Sequence, residues 1–232
     1  MHRFSYFSHN WRVLKDNNRC VGKLIESLRG TVYDLGCGTQ PYKIDILVHA
    51  DEYVGVDWSQ TPHTLVADVV ADLNEPLPVE SGAADAVVSF QVMEHVRKPD
   101  FMLKEAHRIL KDGGSIIMMV PFQWWVHEAP YDYFRYTPYG LHYLFEEAGF
   151  EHIEITPTSG VMVVLIMKVN YFSVRFIRGP AWLRWLIRFA LTPFWFVLQA
   201  LAPWLDRLDR DKELEASGFS ITARKPRLQP NT

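Results

Sequence analysis

An acidic, glycine-rich segment is the first part of this sequence whose residue types predict a binding site. Asp34 is followed by Gly36, Cys37 and Gly38, directly after the apolar run 31–35. Glycines let the backbone turn sharply at the end of a strand and let a ligand approach closely. The amide groups of such a turn can hold an anionic group. Because an ordinary tight turn can have the same letters, the assignment depends on a second observation.

That observation is a second acid, Asp57, which ends the next apolar run at 52–57. An acidic side chain at this place can accept hydrogen bonds from both hydroxyls of a ribose. Gln40 and Pro41 break the G-x-G-x-x-G spacing of dinucleotide sites. The pattern therefore argues against NAD and for a ligand that lacks a pyrophosphate.

The segment 127–137 holds the residues that could act on a substrate. It follows an apolar run at 115–120, which places it at the carboxyl edge where open α/β sheets bind ligands. His127 could serve as a general base that Asp132 orients, and Arg135 could hold a carboxylate or phosphate. In the alternative interpretation, Asp132 and Arg135 pair to brace the loop while its tyrosines pack.

A second histidine, His95, lies just after the apolar run 85–90. It is a candidate for a catalytic role near the reacting group, and a structural role is an equal alternative. The letters from His127 to Asp132 do not form the H-E-x-x-H pattern of zinc enzymes, and no other cluster of ligand residues is visible along the chain. The sequence therefore predicts no metal.

The elements that must position these residues alternate along the chain. Short, nearly continuous apolar runs predict strands buried on both faces, at 31–35, 52–57, 85–90 and 115–120. Helical spacing predicts three helices, which end near Gly30, Gly113-Gly114 and Gly149. The third begins at the N-cap Thr137. A late strand at 218–224 is expected to pair with the run around Ile153 and Ile155. Strands that alternate with helices predict a parallel sheet covered on both sides.

Four motifs in this order resemble the class I S-adenosylmethionine-dependent methyltransferases, in the subgroup that includes small-molecule and polysaccharide-cluster enzymes. They are VYDLGCGTQPY, YVGVDWS, ADLNEPLPVESGAADAVVSFQVMEHV and LKEAHRILKDGGSIIMMVP. The resemblance runs from about Val32 to Phe150 and resumes at the last strand. It implies a Rossmann-like α/β fold: a doubly wound, seven-stranded sheet, mostly parallel, with an antiparallel last strand and a helical insertion before it.

The resemblance also implies a set of residues around S-adenosylmethionine. Asp34, Gly36 and Gly38 would surround its methionine part, Asp57 and Trp58 its ribose. Residues near the adenine and the sulfonium complete the cofactor set, namely Asp72, Leu73, Phe90 and Gln91, with Cys37 and Pro41 in the glycine loop. One departure is that Gln40 stands where many relatives have a third glycine. The stretch from His127 to Thr137 resembles the H-x-x-P-x-D-Y-x-R-Y-T stretch of the polysaccharide-cluster enzymes. The residues expected at the substrate are Tyr133, Arg135 and Tyr136, and those expected to be catalytic are His127, Asp132 and His95.

The segment 158–215 is predicted to be a helical insertion. Pro180 would begin one helix and Thr192-Pro193 a second, which Pro203 interrupts. From Ile155 to Leu205 the chain has no acid, but it has many tryptophans and several arginines. Since the longest uncharged stretch contains two prolines, a membrane span is poorly supported. A pair of helices at the membrane surface fits better, with a lid or a dimer contact as alternatives.

Composition limits the partners. The net charge is -3 and no basic groove is apparent, so nucleic acid is disfavoured. The SFQV stretch after the fourth strand also differs from the NPPY-like motif of enzymes that methylate amines of bases, which favours an oxygen acceptor. Two cysteines make no disulfide framework and suit a reducing cytoplasm.

The predicted organisation has three parts. Residues 1–157 form the methyltransferase core, 158–215 the insertion, and 216–232 the final strand and tail. The resulting hypothesis is a cytoplasmic O-methyltransferase for a sugar, glycan or lipid-linked acceptor, peripheral at the inner membrane face. The alternatives are a soluble methyltransferase for a small hydrophobic metabolite and a non-catalytic, membrane-associated binding protein on the same fold. The pathway, the methylated atom and the oligomeric state do not follow from the sequence.

Overall fold

The computed structural model describes residues 4–60, 64–208 and 215–227, so residues 209–214 of the predicted insertion and 228–232 of the tail lie outside the described residues. The chain divides into two compact units. The first takes in Gly22–Thr156 and Phe219–Thr232, and the second takes in His2–Val21 and Pro157–Gly218. The candidate site residues named above, from Asp34 to Tyr136, all belong to the first unit.

A seven-stranded sheet runs through the first unit. Its strands are β1 (Thr31–Leu35), β2 (Glu52–Asp57), β3 (Val69–Val70), β4 (Ala84–Phe90), β5 (Leu110–Pro121), β6 (Glu151–Pro157) and β7 (Gly218–Arg224). They lie in the order β3-β2-β1-β4-β5-β7-β6. The pairs β2–β3, β1–β2, β1–β4 and β4–β5 are parallel, and the sheet is antiparallel at its last strands. The predicted doubly wound sheet is confirmed.

Six α-helices and one short 3-10 helix (Met93–His95) accompany the sheet in the part of the chain that the structure describes. The α-helices are α1 (Trp11–Ile25), α2 (Lys43–Ile46), α3 (Pro99–Ile109), α4 (Pro138–Glu147), α5 (Val161–Val174) and α6 (Ala181–Leu205). The Oγ1 of Thr137 accepts a hydrogen bond from the Gly140 amide at 3.1 Å, so the predicted N-cap of α4 is confirmed.

Two predicted helix ends are wrong. α1 ends at Ile25 rather than at Gly30, and α3 ends at Ile109. Gly113 and Gly114 do not stop α3, because β5 already begins at Leu110 and both glycines lie inside this strand.

The core of the first unit explains why these runs form strands. The central strands β1, β4 and β5 are buried along most of their length, with Val87, Val88 and Met118 among the side chains below 2% exposure. A strand covered on both faces needs apolar residues on both faces, which gives a continuous apolar run instead of alternation. Each large side chain buried this fully contributes about 1.5–3 kcal/mol.

The helices of the second unit differ from the prediction. α6 is one helix of 25 residues with Pro193 and Pro203 inside it, and not two short helices divided by proline. The hydroxyl of Thr192 does not cap a new helix but donates to the Arg188 carbonyl at 2.8 Å, one turn back in the same helix. By length and composition α6 is the one described helix that would suffice to cross a membrane.

Asp206 joins the two helices of this unit. It follows α6, and its carboxylate accepts hydrogen bonds from the amides of Gly160 (3.1 Å) and Met162 (2.7 Å) at the start of α5. Those amides have no partner inside their own helix, and the carboxylate lies at the positive end of the helix dipole. Asp206 is therefore an N-cap supplied from a residue 46 positions away.

Candidate active site

The carboxyl ends of the parallel strands form the edge at which the candidate residues meet. β1 pairs with β2 on one side and with β4 on the other, so the order of the strands reverses at this point. Ligands of open α/β sheets bind outside the carboxyl ends at such a switch point. Leu35, Asp57 and Phe90 end their strands here.

The glycine loop is shaped by the strands beside it. The amides of Gly36 and Cys37 donate to the Val56 carbonyl at 2.8 and 3.1 Å. Gly36 has a φ of 81°, and a Cβ at this position would lie 2.4 Å from the side chain of Val92. Only glycine fits both requirements. Burial, together with the carboxylates of Asp34 and Asp57, raises the pKa of the Cys37 thiol to about 12, so the thiol is protonated near neutral pH.

The carboxylate of Asp57 is fixed by two backbone amides. One oxygen accepts from the Gly38 amide at 2.7 Å and the other from the Trp58 amide at 2.8 Å. The side chain is almost buried. Each carboxylate oxygen can accept more than one hydrogen bond, so Asp57 is held in place while retaining acceptor capacity.

The side chain of Asp34 is more deeply buried than that of Asp57. It is 2% exposed, and its carboxyl accepts a hydrogen bond from the Tyr53 hydroxyl at 2.6 Å. Burial raises the pKa of Asp34 to about 7, the Tyr53 hydrogen bond opposes this rise, and the nearby charge of Asp57 adds to it. Asp34 is therefore a carboxyl that sits between its two protonation states near neutral pH.

Gln40 shows how this loop does without a third glycine. Its φ is 56°, a left-handed conformation that costs a residue with a side chain about 1–2 kcal/mol. Its amide nitrogen donates to the Val66 carbonyl at 2.8 Å, and its amide oxygen accepts from Lys43 at 3.0 Å. These contacts offset the conformational cost. Pro41, which follows, is half-buried.

The remaining residues predicted for the cofactor lie along the same edge. Asp72 follows β3 and accepts from both the backbone amide (2.9 Å) and the side-chain amide (2.7 Å) of Asn74. The next residue, Leu73, is buried. The Ala71 amide donates to the Asp57 carbonyl at 2.9 Å, which fixes this turn beside the end of β2.

The end of β4 supplies two more residues predicted for the cofactor, Phe90 and Gln91. Phe90 packs edge-on against Tyr42, with ring centroids 5.0 Å apart. Gln91 has a φ of 59°, and its amide donates to the Met119 carbonyl at 2.7 Å. The chain therefore turns abruptly at Gln91, with a strained backbone of the kind that clusters at functional sites.

Asp132 is the centre of the predicted substrate loop. It accepts two hydrogen bonds from Arg135, at 2.5 and 2.7 Å, and one from the His127 amide at 2.9 Å; the Nδ1 of His127 lies 3.2 Å away. Burial acts to raise the pKa of Asp132, but these hydrogen bonds and the Arg135 charge outweigh it and lower the pKa to about 2. These contacts match the alternative in which Asp132 and Arg135 pair to brace the loop. They also orient the His127 ring.

The two histidines face each other. The rings of His95 and His127 meet edge to face with centroids 4.8 Å apart. The Nδ1 of His95 lies 3.0 Å from the Tyr131 carbonyl. Burial lowers the pKa of His127, Asp132 opposes this effect, and His95 and Arg135 add to it. His127 is therefore biased toward the neutral imidazole, which can accept a proton.

Glu94 is the residue that the sequence analysis missed. It is fully buried, and neither carboxylate oxygen has a hydrogen-bond partner from another residue. Its burial raises its pKa to about 8. One oxygen lies 3.7 Å from the Nε2 of His95. The only signal in the sequence was the position of this acid between two apolar residues, Met93 and Val96. The structure buries both of them.

The tyrosines of the loop serve different purposes. The buried hydroxyl of Tyr136 donates to the Met93 carbonyl at 3.0 Å, and burial raises its pKa. The Tyr133 side chain is exposed, while its amide donates to the Glu94 carbonyl at 2.9 Å. Tyr131 packs edge-on against Trp58, with centroids 5.1 Å apart. The loop is thus attached both to the turn after β4 and to the end of β2.

Part of the chain is similar to a known protein family. Residues 33–118 match the family described as Methyltransferase domain. A ubiquinone biosynthesis O-methyltransferase from Pseudomonas paraeruginosa is 25% identical over 141 residues, which cover 50% of this chain and 60% of the relative. A chloroplastic 2-methyl-6-phytyl-1,4-hydroquinone methyltransferase from Spinacia oleracea is 27% identical over 138 residues, 53% of this chain and 40% of the relative. The chain thus spans about half the length of these relatives.

Solved structures share the fold. The phosphoethanolamine N-methyltransferase 2 of Haemonchus contortus, in complex with phosphomonomethylethanolamine and S-adenosylhomocysteine, superimposes with a TM-score of 0.59. The match covers 92% of this chain and 53% of that protein, at 16% identity. At this identity the likeness establishes the fold alone.

Proposed function

We propose that the chain is a class I S-adenosylmethionine-dependent methyltransferase, which transfers a methyl group from S-adenosylmethionine to an oxygen atom of a small acceptor molecule. The observation that carries the proposal is the contact between Trp58 and Tyr131. It joins the residue after Asp57 to the loop that holds His127, so a cofactor at the strand ends and an acceptor at the loop would be neighbours.

We assign the cofactor side by the same geometry. The Asp57 carboxylate accepts the ribose hydroxyls, because it is fixed by two amides and keeps acceptor capacity. The glycine loop and Asp34 receive the methionine part. Asp72 and Leu73 border the adenine, and Gln91 lies beside the sulfonium.

The acceptor side needs little chemistry of its own. The sulfonium activates its methyl group, so holding the acceptor oxygen in line gives most of the rate. A base helps where the acceptor retains its proton. His127 is placed for this role, since Asp132 orients its ring through Nδ1 and burial favours its neutral form. Asp132 and Arg135 are positioning residues in this proposal, and Tyr133 offers an exposed ring to the acceptor.

A lipid-linked acceptor is the branch of the proposal that the relatives favour. By its name, the bacterial relative is an O-methyltransferase of ubiquinone biosynthesis. By its name, the plant relative acts on a hydroquinone that bears a phytyl chain. A hydroxyl on a sugar or glycan carried by a lipid would present the same reacting atom.

The activity test compares His127→Ala with His142→Ala, a matched histidine that is exposed on α4. Methyl transfer from labelled S-adenosylmethionine is measured with prenylated hydroquinone and lipid-linked sugar acceptors. We expect His127→Ala to lower kcat by about 10²–10⁴-fold, the usual contribution of a base, and to leave S-adenosylhomocysteine affinity unchanged. Equal turnover of both variants would contradict the assignment of His127. Cofactor binding without transfer to any acceptor would favour the non-catalytic alternative.

The second unit supports a further element of the proposal, namely contact with the cytoplasmic face of a membrane. Between Ala181 and Phe194 no side chain of α6 is buried, although the mean hydropathy of the helix is high. Trp182, Trp185 and Phe189 are each more than 60% exposed. Arg184 and Arg188 occupy the same turns. Exposed tryptophans beside arginines suit a bilayer surface, where rings enter the acyl boundary and arginines meet anionic headgroups.

Vesicle binding tests the membrane element. Protein is sedimented with phosphatidylcholine vesicles that contain or lack phosphatidylglycerol. The double variant of Trp182 and Trp185 to alanine should weaken binding at least about tenfold, because a fully buried ring contributes about 1.5–3 kcal/mol. The matched control replaces Tyr139 and Tyr143, two exposed rings of α4. If wild-type protein fails to sediment with the anionic vesicles, the membrane element is wrong and the alternative of a small hydrophobic metabolite takes its place.

A further inference from the structure

We propose that Glu94, His95 and His127 form a binding site for a single divalent transition-metal ion. Each residue offers one ligand atom, and the three atoms lie within 4.8 Å of one another. Two imidazole nitrogens and one carboxylate are the ligand set of catalytic zinc sites and of the iron(II) facial triad. The sequence pattern gave no sign of it, because His127 lies 32 residues beyond His95 and joins the set only through the fold.

The first argument is the buried carboxylate. Glu94 is 0% exposed, and both of its oxygens lack a hydrogen-bond partner from another residue. A carboxyl group is costly to bury without a partner in either protonation state, so such groups are normally paired, hydrogen-bonded or bound to a metal. The Nε2 of His95 lies 3.7 Å from one oxygen, which is too far for a hydrogen bond, and the charge of Arg135 acts on the same carboxyl without a hydrogen bond to it. A cation between the carboxylate and the imidazoles would supply the missing partner.

The second argument is that the Nδ1 of each histidine already has an oxygen partner. The Nδ1 of His127 is held by Asp132 at 3.2 Å, and the Nδ1 of His95 by the Tyr131 carbonyl at 3.0 Å. If each Nδ1 donates to its oxygen, each Nε2 keeps its lone pair for the ion. Metal-binding histidines almost always have such an outer partner, either a carboxylate or a carbonyl.

The distances require only a small adjustment. Ligand atoms about 2.1 Å from a tetrahedral ion are about 3.4 Å apart, so ligand atoms that now lie within 4.8 Å of one another must draw together by up to about 1.4 Å. Glu128, which is half exposed and has an oxygen 3.8 Å from the Nε2 of His95, is a candidate for the fourth position. Otherwise that position is open to water or, if the proposed function holds, to the acceptor oxygen. With the ion bound, His127 would be a ligand and not the base, and the ion would orient and polarise the acceptor oxygen in its place.

The test is metal binding by the full-length protein, independent of turnover. Protein stripped with a chelator is titrated with Co²⁺, whose visible spectrum reports ligand number and geometry, and then with Zn²⁺ in competition. We expect one equivalent to bind. Glu94→Gln and His127→Ala should weaken binding at least tenfold, and Asp132→Asn should weaken it about 10–100-fold through the outer shell. His142→Ala is the matched control and should bind as the wild type does.

S-adenosylhomocysteine binding, measured on the same samples, separates this proposal from the proposed function. Cofactor binding with no stoichiometric Co²⁺ or Zn²⁺ binding overturns the metal site and leaves the cofactor assignment intact. Loss of metal binding in the variants with unchanged thermal unfolding supports the site. If a ligand variant fails to fold, Glu94→Asp, which keeps the charge and shortens the reach, provides the comparison. Equal Co²⁺ spectra for wild type, Glu94→Gln and His127→Ala would overturn the proposal.

Discussion

Asp57 offers the sharpest test of the cofactor assignment, because the structure gives its carboxylate two tasks. It holds the glycine loop through the Gly38 amide, and it is the proposed acceptor for the ribose hydroxyls. Asp57→Ala removes both functions. Asp57→Asn keeps one amide acceptor and the shape of the side chain, but it loses the charge and turns an NH₂ group toward a backbone donor. The two variants therefore separate the loop from the ligand.

The magnitude follows from the number and type of hydrogen bonds. A hydrogen bond to a charged group contributes about 1.5–3 kcal/mol, and part of this is recovered when water replaces the partner. We expect Asp57→Ala to lose about 1–3 kcal/mol of cofactor binding, which corresponds to an affinity about 5–150-fold weaker. Asp57→Asn should lie between Asp57→Ala and the wild type.

The assay is calorimetric titration with S-adenosylhomocysteine, combined with thermal unfolding of each variant. The matched control is Asp51→Ala, an exposed acid directly before the opposite end of β2. Equal affinities for Asp57→Ala and Asp51→Ala would refute the ribose assignment. Weak binding by Asp57→Ala with wild-type affinity in Asp57→Asn would show that the loop amides, and not the charge toward the ribose, account for the effect.

Two further predictions concern stability. Gly36→Ala should destabilise the protein by about 1–3 kcal/mol more than Gly82→Ala in urea unfolding, because both glycines have positive φ but only Gly36 has a crowded Cβ position, 2.4 Å from Val92; equal losses would mean that Val92 moves aside. Since the pKa of Asp132 is lowered to about 2 in the folded protein, its stabilising contribution is present above about pH 4 and is lost as the pH falls toward 2. The stability difference between wild type and Asp132→Asn should therefore shrink over this interval, and a difference that stays constant would contradict the ion pair with Arg135.

The strands and the cofactor edge could be predicted from the sequence because their signals are local. β1 and β2 have the predicted bounds, since a strand buried on both faces is a continuous apolar run that ends at a glycine or an acid. α6 could not be predicted in the same way. Proline at 193 removes the donor for the Phe189 carbonyl, but Phe189 is 67% exposed, so water can take the place of that donor and the helix continues.

Glu94 was beyond the reach of pattern analysis for a different reason. What singles it out is the absence of a partner, which is a property of the folded surroundings and not of the letters beside it. His127, its neighbour in space, reaches it only after α3 and β5 have carried the chain through the sheet and back to the same edge. Interactions of this kind depend on topology, so a motif with fixed spacing does not describe them.

The pairing of Arg12 with Gln199 has a consequence for the order in which the second unit can form. The Arg12 amide donates to the Gln199 side chain across 187 residues, and Trp11 stacks on Phe196. On a ribosome that adds about 5–20 residues per second, the start of α1 is complete many seconds before its partners on α6 exist. The residues of the first unit lie between them in the sequence. The entropic cost of closing so long a loop falls greatly once that unit has folded. Until then Trp11 and the Arg12 amide lack their partners on α6, so the contacts of this end of α1 are completed only after most of the chain has been made.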